Sequence, residues 1–174
     1  LRELLNSKEH FKWTDDYQRT FNKILQELKK DTLLSYFDFR LPTFIFTDAH
    51  KTGLCAILAH RKNIENAKPA AFASRCTNKV EQKYAQLDLE AMAVDYALRR
   101  FRNYLIGSPH ENILITDHLP LLSVFNGRRK GSVRTERIKL RHQDIRFTLQ
   151  YRKGQINPAD YLSRHAIKWI SISK

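Results

Sequence analysis

Four carboxylates stand at the ends or flanks of apolar runs. They are Asp48 in Phe46-Thr47-Asp48-Ala49, Glu90 in Leu87-Asp88-Leu89-Glu90-Ala91, Asp117 in Ile115-Thr116-Asp117-His118, and Asp160 in Asn157-Pro158-Ala159-Asp160. An unpaired carboxylate in apolar surroundings is costly, so each calls for a partner. The chain around them is strongly basic, with 31 Lys and Arg against 18 Asp and Glu, a net charge of +13. Four such acids in a basic chain suggest one site that holds divalent metal beside a polyanion. Mg²⁺ takes oxygen ligands and few protein carboxylates, leaving positions for water and phosphate. Two such ions about 4 Å apart stabilise both the entering and the leaving oxygen of an in-line phosphoryl displacement. Each acid alone also has a structural reading. Asp48 and Asp117 could start turns, Glu90 could be a solvated helix residue, and Asp160 could sit on a helix dipole. Spacing alone does not show that they converge.

Other chemistries have less support. Zinc would need His or Cys ligands, and no HExxH or CxxC occurs. No GxxxxGK[ST] loop is present, which argues against nucleotide hydrolysis of that type. The two cysteines, Cys55 and Cys76, lie in apolar runs and read as small core residues, which fits a reducing compartment. No apolar stretch approaches the roughly 20 residues of a membrane span. The opening, Leu1-Arg2-Glu3-Leu4-Leu5, is neither a signal peptide nor an initiator Met, as expected of a piece of a longer polypeptide.

The elements that must position the acids follow from periodicity. Thr14 is a candidate N-cap for a helix over 15–30, with Tyr17, Phe21, Ile24 and Leu28 at helical spacing. Residues 43–48 read as a strand, Lys51-Thr52-Gly53 as a turn and residues 54–59 as a second strand, so the pair predicts a hairpin. Residues 69–74 give a third strand. The longest helical stripe, Tyr84, Leu87, Ala91, Val94, Leu98, Phe101 and Leu105, predicts one helix over 81–106, ended by Gly107-Ser108-Pro109. Residues 112–117 predict a buried strand, and the residues after Pro120 a short helix. Residues 126–153 hold ten Lys or Arg against Glu136 and Asp144, net +8. They predict a loop, a basic helix near Arg134–Asp144, and a last strand through Phe147, Leu149 and Tyr151. Asp160 then falls in the first turn of a helix opened by Pro158. The pattern is α/β with a mixed sheet.

From Trp13 to Arg164 the chain resembles the RNase H region of Ty3/gypsy-type retrotransposon Pol polyproteins, with the end of the reverse transcriptase before it. The resemblance rests on an ordered set of pieces. Phe46-Thr-Asp-Ala49 with Gly53-Leu54 comes first, then Ala71-Phe-Ala-Ser-Arg75. Tyr84…Glu90-Ala-Met-Ala-Val94 and Phe101-Arg-Asn-Tyr-Leu-Ile-Gly107 follow. Thr116-Asp-His-Leu-Pro-Leu121 and Tyr151-Arg-Lys-Gly154…Asn157-Pro-Ala-Asp-Tyr-Leu-Ser-Arg164 complete it. The resemblance implies an RNase H-like mixed five-stranded sheet flanked by helices, preceded by an N-terminal helical junction segment. It divides the chain into a reverse transcriptase end (1–39), an RNase H domain (40–166) and a basic tail (167–174). It implies hydrolysis of the RNA strand of RNA–DNA hybrids, leaving 3′-hydroxyl and 5′-phosphate ends. The cofactor would be two Mg²⁺ ions, with Mn²⁺ as the alternative, held by Asp48, Glu90, Asp117 and Asp160 as metal-binding and catalytic residues. Residues i and i+2 of a helix point in different directions, so only one of Asp88 and Glu90 can face the site; the resemblance, which implies a catalytic acid just before Ala91-Met-Ala-Val94, selects Glu90. The upstream polymerase part would be a partner, and the setting a cytoplasmic virus-like particle with nuclear access.

Hybrid binding needs phosphate contacts, and Arg128, Arg129, Lys130, Arg134, Arg137, Lys139 and Arg141 are the candidates, with Arg75 and Gln86 as further ones. The chain also departs from the family pattern. His50 replaces a small residue two positions after Asp48, where strand alternation puts it on the same face. Cys55 replaces a Gly, Ile138 stands where a Trp is common, and Arg152 lies where cellular relatives have a His. These departures leave a second reading, a catalytically weak or domesticated scaffold that binds nucleic acid. A strand-transferring integrase shares the metal logic but lacks the 84–107 and 157–164 signatures.

Overall fold

The computed structural model describes residues 11–28, 34–61, 63–154 and 157–160. The chain divides into two compact units between Ser35 and Tyr36. In the first, helix α1 spans Asp15–Leu28. Thr14 Oγ1 accepts a hydrogen bond from the Tyr17 amide at 3.4 Å, as a cap should. The Trp13 ring lies against Tyr17 and Phe21, and its Nε1 donates to Gln18 Oε1 at 2.8 Å.

The second unit is built on a five-stranded sheet in the order β3-β2-β1-β4-β5. β1 spans Thr43–His50 and β2 spans Gly53–His60; they form the expected antiparallel hairpin, with Asp48 opposite Cys55. β3, Lys68–Cys76, pairs antiparallel with β2. β4, Asn112–Thr116, lies parallel to β1, and β5, Phe147–Tyr151, parallel to β4. β1 and β2 are covered on both faces, which explains their near-continuous apolar runs.

Helix α2, Gln86–Arg100, packs on one face of the sheet. Its Ala91, Val94, Ala97 and Leu98 join Ile45, Ala56 and Leu58 in the main core. Three alanines on this face, Ala91, Ala93 and Ala97, let the helix approach the strands closely. On the other face Phe44, Phe46, Ile57, Ala59 and Ile115 form a second cluster that receives Ala159. Strand alternation sends Ile45 to one cluster and its neighbours Phe44 and Phe46 to the other.

The expected single helix over 81–106 is broken. Glu81–Lys83 form a 3-10 turn, Tyr84 and Ala85 are extended, α2 follows, and a short helix α3 covers Arg102–Leu105. A turn built by side chains wins over the apolar stripe here. Asn78 Oδ1 accepts from the amides of Val80 and Glu81 at 2.9 Å each, and Glu81 is in turn clamped by Arg75. Gly107, at φ +71°, carries the chain out of α3. Helix α4, Leu119–Phe125, has Pro120 in its first turn, and helix α5, Val133–Arg141, is capped by Ser132, whose Oγ accepts from the Thr135 amide. α5 stops at Arg141 rather than running to Asp144, with His142 as its C-cap. The helix expected after Pro158 begins within the described residues, and its remainder lies outside them.

Candidate active site

The parallel pairing of β1 with β4 brings the first two acids together. Phe46 is in register with Ile115, so Asp48 and Asp117 each lie two residues past a paired position, at the same end of neighbouring strands. Thr47 Oγ1 reinforces the alignment by donating to the Ile115 carbonyl at 3.2 Å. The start of α2 brings the third. Leu89 and Ala93 pack against Ala49 and Leu54 beside the hairpin turn, which aims Glu90 at the end of β1. One ligand oxygen each from Asp48, Glu90 and Asp117 then lies within 4.8 Å of the others. Asp48 is 4% exposed and Glu90 2%, so solvent screens neither charge well.

Burial, and then the neighbouring Asp48, push the Glu90 carboxyl up to about 8. Its Oε1 accepts from Gln86 Nε2 at 2.8 Å, while its Oε2 is buried with no hydrogen-bond partner. An all-oxygen set with a spare buried oxygen and mutual repulsion fits a hard divalent cation. Gly154 presses on the same centre: a Cβ there would meet Asp117 Oδ2 at 2.6 Å.

Among the described residues, Asp160 is not part of the three-acid group. It is half-buried on a segment tied beside the centre. Asn157 Nδ2 donates to the Thr47 carbonyl at 3.0 Å, its Oδ1 accepts from the Ala159 amide at 3.1 Å, and Ala159 is fully buried. That anchor attaches Asp160 next to the residue that precedes Asp48. Asp88 points elsewhere, accepting from Ser132 Oγ at 2.6 Å and Arg134 Nη1 at 2.9 Å.

The atypical neighbours are also placed. The His50 ring is held in the hairpin turn, with Nδ1 2.8 Å from Thr52 Oγ1. Cys55 is fully buried, and burial together with Asp48 pushes its thiol up to about 12, so it stays protonated packing. Burial lowers the His118 imidazole against the opposing pull of Asp117. Ile138 is buried in the main core. The Arg152 guanidinium reaches Glu65 at 3.0 Å. An apolar cleft of about 530 Å³ between Phe46, Ile57, Phe72 and Pro158 contains none of the three acids.

The nine candidate contacts to nucleic acid fall into two groups. Arg128, Arg129, Lys130 and Arg137 are exposed. The others make internal contacts. Arg75 forms a two-pronged bond to Glu81 at 2.8 Å, and Gln86 bonds Ala49 and Glu90. Arg134 stacks 3.7 Å over the Tyr84 ring while paired to Asp88. Arg141 pairs with Asp95 at 2.7 Å, and Lys139 Nζ lies 3.3 Å from both Glu136 and the Val124 carbonyl. The sequence reading did not foresee that Asp88 and Asp95 hold the two ends of α5. Their seven-residue spacing, two turns on one helix face, was the available signal.

Residues 13–113 match the family described as an RNase H-like domain found in reverse transcriptase. The retrovirus-related Pol polyprotein from transposon 412 of Drosophila melanogaster is 38% identical over 159 residues, covering 91% of this chain and 12% of that protein. The transposon Tf2-3 polyprotein of Schizosaccharomyces pombe is 30% identical over 166 residues, covering 94% of this chain and 12% of the polyprotein. The chain thus spans about an eighth of these relatives. Among solved structures, a foamy viral protease-reverse transcriptase in complex with RNA/DNA hybrid aligns over 99% of this chain and 23% of its own, at TM-score 0.58 and 18% identity. LC11-RNase H1 in complex with RNA/DNA hybrid aligns over 73% of this chain and 96% of its own, at TM-score 0.56 and 13% identity. At these identities the structural likeness speaks for the fold.

Proposed function

We propose, from the premise that this chain belongs to the RNase H-like domains found in reverse transcriptase, that its acidic centre hydrolyses the RNA strand of RNA–DNA hybrids with divalent metal. The observation that carries the reading is the meeting of Asp48, Glu90 and Asp117 within 4.8 Å, with a buried, unpartnered oxygen on Glu90. These three would hold Mg²⁺, or Mn²⁺ in its place, and Asp160 would join Asp48 from its anchored segment. Divalent metal held by these carboxylates would supply activation of a water and neutralising charge at the scissile phosphate. The chain's own part is to fix the carboxylates on rigid elements before substrate arrives. Strand ends and a helix do this with more precision than loops. The exposed Arg128, Arg129, Lys130 and Arg137 would grip phosphates along the hybrid. Contacts to 2′-hydroxyls in a wide minor groove would let the site demand RNA on one strand. The same reading makes an upstream polymerase part of the polyprotein the partner that helps hold substrate. It also carries an intracellular setting, in a cytoplasmic particle.

The test is cleavage of an end-labelled RNA–DNA hybrid in Mg²⁺ by the native chain and by Asp48→Asn. The expected result is a loss of about a hundredfold or more in the variant. Equal hydrolysis by both would remove the proposed site. Hybrid binding by the native chain without hydrolysis would return it to the scaffold reading.

A further inference from the structure

We infer that Gln86 is a positioning residue for Glu90, holding one carboxylate oxygen so that the other stays open to a divalent cation. The inference rests on the metal-binding reading of the acidic centre. Gln86 is the first residue of α2 and lies one turn before Glu90. Its amide nitrogen carries two hydrogens, and both are engaged inside the protein. One bond runs to Glu90 Oε1 at 2.8 Å and the other to the Ala49 carbonyl at 3.1 Å. Ala49 follows Asp48, so a single amide joins the helix that carries one acid to the strand that carries another.

The terminal torsion of a glutamate is broad and two-fold, so packing alone fixes the carboxylate plane poorly. A hydrogen bond to Oε1 selects one plane and leaves Oε2, buried and unpartnered, as the open ligand. Outer partners of this kind orient metal-binding carboxylates, and their loss typically costs about 10–100-fold in metal affinity. With both N–H donors committed, the Gln86 amide has none left for a nucleic-acid phosphate. Donation from Gln86 to a phosphate would therefore require one of these two internal bonds to break.

The test uses the full 174-residue chain and Mn²⁺ alone as the probe, with binding followed by electron paramagnetic resonance. Gln86→Met keeps shape and helix propensity but removes both donors. Gln86→Asn keeps an amide one methylene too short to reach. Both variants are expected to bind Mn²⁺ about 10–100-fold more weakly than the native chain, with hybrid affinity in EDTA unchanged. If Gln86→Met fails to fold, Gln86→Asn decides the matter. Native Mn²⁺ affinity in a folded variant would overturn the inference and leave the acidic centre standing. A fall in metal-free hybrid affinity with Mn²⁺ affinity intact would overturn it in favour of a substrate contact. Failure of the native chain to bind Mn²⁺ would overturn both this inference and the metal reading beneath it.

Discussion

The acidic centre and the basic segment from 126 to 153 are opposite in charge and opposite in how the fold treats them. The acids of the centre are driven together by the core. β1 and β4 run side by side, α2 packs across their ends, and the carboxylates meet although their mutual repulsion opposes it. The cations of the basic segment are driven apart. Two, Arg134 and Arg141, pair with acids on α2, Lys139 and Arg152 pair with Glu136 and Glu65, and Arg128, Arg129, Lys130 and Arg137 are exposed. Like charges forced together against their own repulsion point to a missing counter-charge. A run of like charges along a surface does not, because internal ion pairs can absorb a good part of it.

The largest expected effect tests the repulsion. Glu90 is held up to about 8 against an ordinary 4.5, so between those values the folded chain keeps a proton that the unfolded chain gives up. The Glu90 contribution to stability in EDTA is therefore expected to be full below about pH 4.5 and to be lost as pH rises toward 8, by on the order of a few kcal/mol. Urea titrations across that range check it. Glu90→Gln should flatten the slope, and added Mg²⁺ should restore stability to the native chain at high pH. A native chain whose stability in EDTA is flat from pH 5 to 8 would break the comparison at its acidic end.

The next effect tests the inward-facing cations. Asp95 is nearly buried between Arg99, Arg141 and His142. Burial pushes its carboxyl up, but hydrogen bonds from His142 and Arg141 and the Arg99 charge outweigh this and hold it below its ordinary value. Asp95→Asn is expected to cost about 3 kcal/mol in urea denaturation, because His142 is left buried beside a weaker partner. Arg137→Ala should change stability by less than about 0.5 kcal/mol.

Two smaller effects sharpen the contrast. Gly154→Ala brings a methyl against Asp117 Oδ2 and is expected to weaken Mn²⁺ binding about tenfold with little loss of fold, which calorimetry would register. Arg137→Ala is expected to lower the salt dependence of hybrid binding by about one phosphate contact, while Arg141→Ala leaves that slope near native. A fluorescence-anisotropy salt series separates the two. Equal slopes for both variants would show that internal pairing does not remove a cation from nucleic-acid binding.

Much of the scaffold was legible because its signals are local. The hairpin could be read from two apolar runs around Lys51-Thr52-Gly53, and the strand at 112–116 from an apolar run bounded by polar residues. The α2 stripe could be read from its period. The acids stood out because carboxylates embedded in apolar sequence are conspicuous. Helix geometry shows that only one of Asp88 and Glu90 can face the site, and the resemblance, through the Ala91-Met-Ala-Val94 segment, selects Glu90. What escaped depended on distant partners. The break before α2 follows from Asn78 and Glu81 making a turn with Arg75 on β3, which no helical period records. The internal use of Arg134 and Arg141 depends on acids more than forty residues away. Gln86 stands one turn before Glu90, which helical period alone gives, but its second bond, to Ala49, is a tertiary contact. Gly154 belongs to one of the pieces that carry the resemblance, but why it must lack a side chain is visible only when Asp117 lies against it.

The parallel pairing of β1 with β4 has a temporal consequence. Thr47 meets Ile115 across 68 residues of sequence, and closing so long a loop is slow compared with forming a hairpin or a helix. During synthesis, a chain that has not yet reached residue 112 already carries Asp48 and Glu90 but not the strand that delivers Asp117. The three-carboxylate centre is thus completed late, after the hairpin and α2 can exist. A nascent or truncated product would carry most of the chain's net positive charge only once the segment 126–153 emerged, and the centre's third acid only shortly before that. Assembly order thereby keeps an incomplete chain from presenting the complete acidic centre.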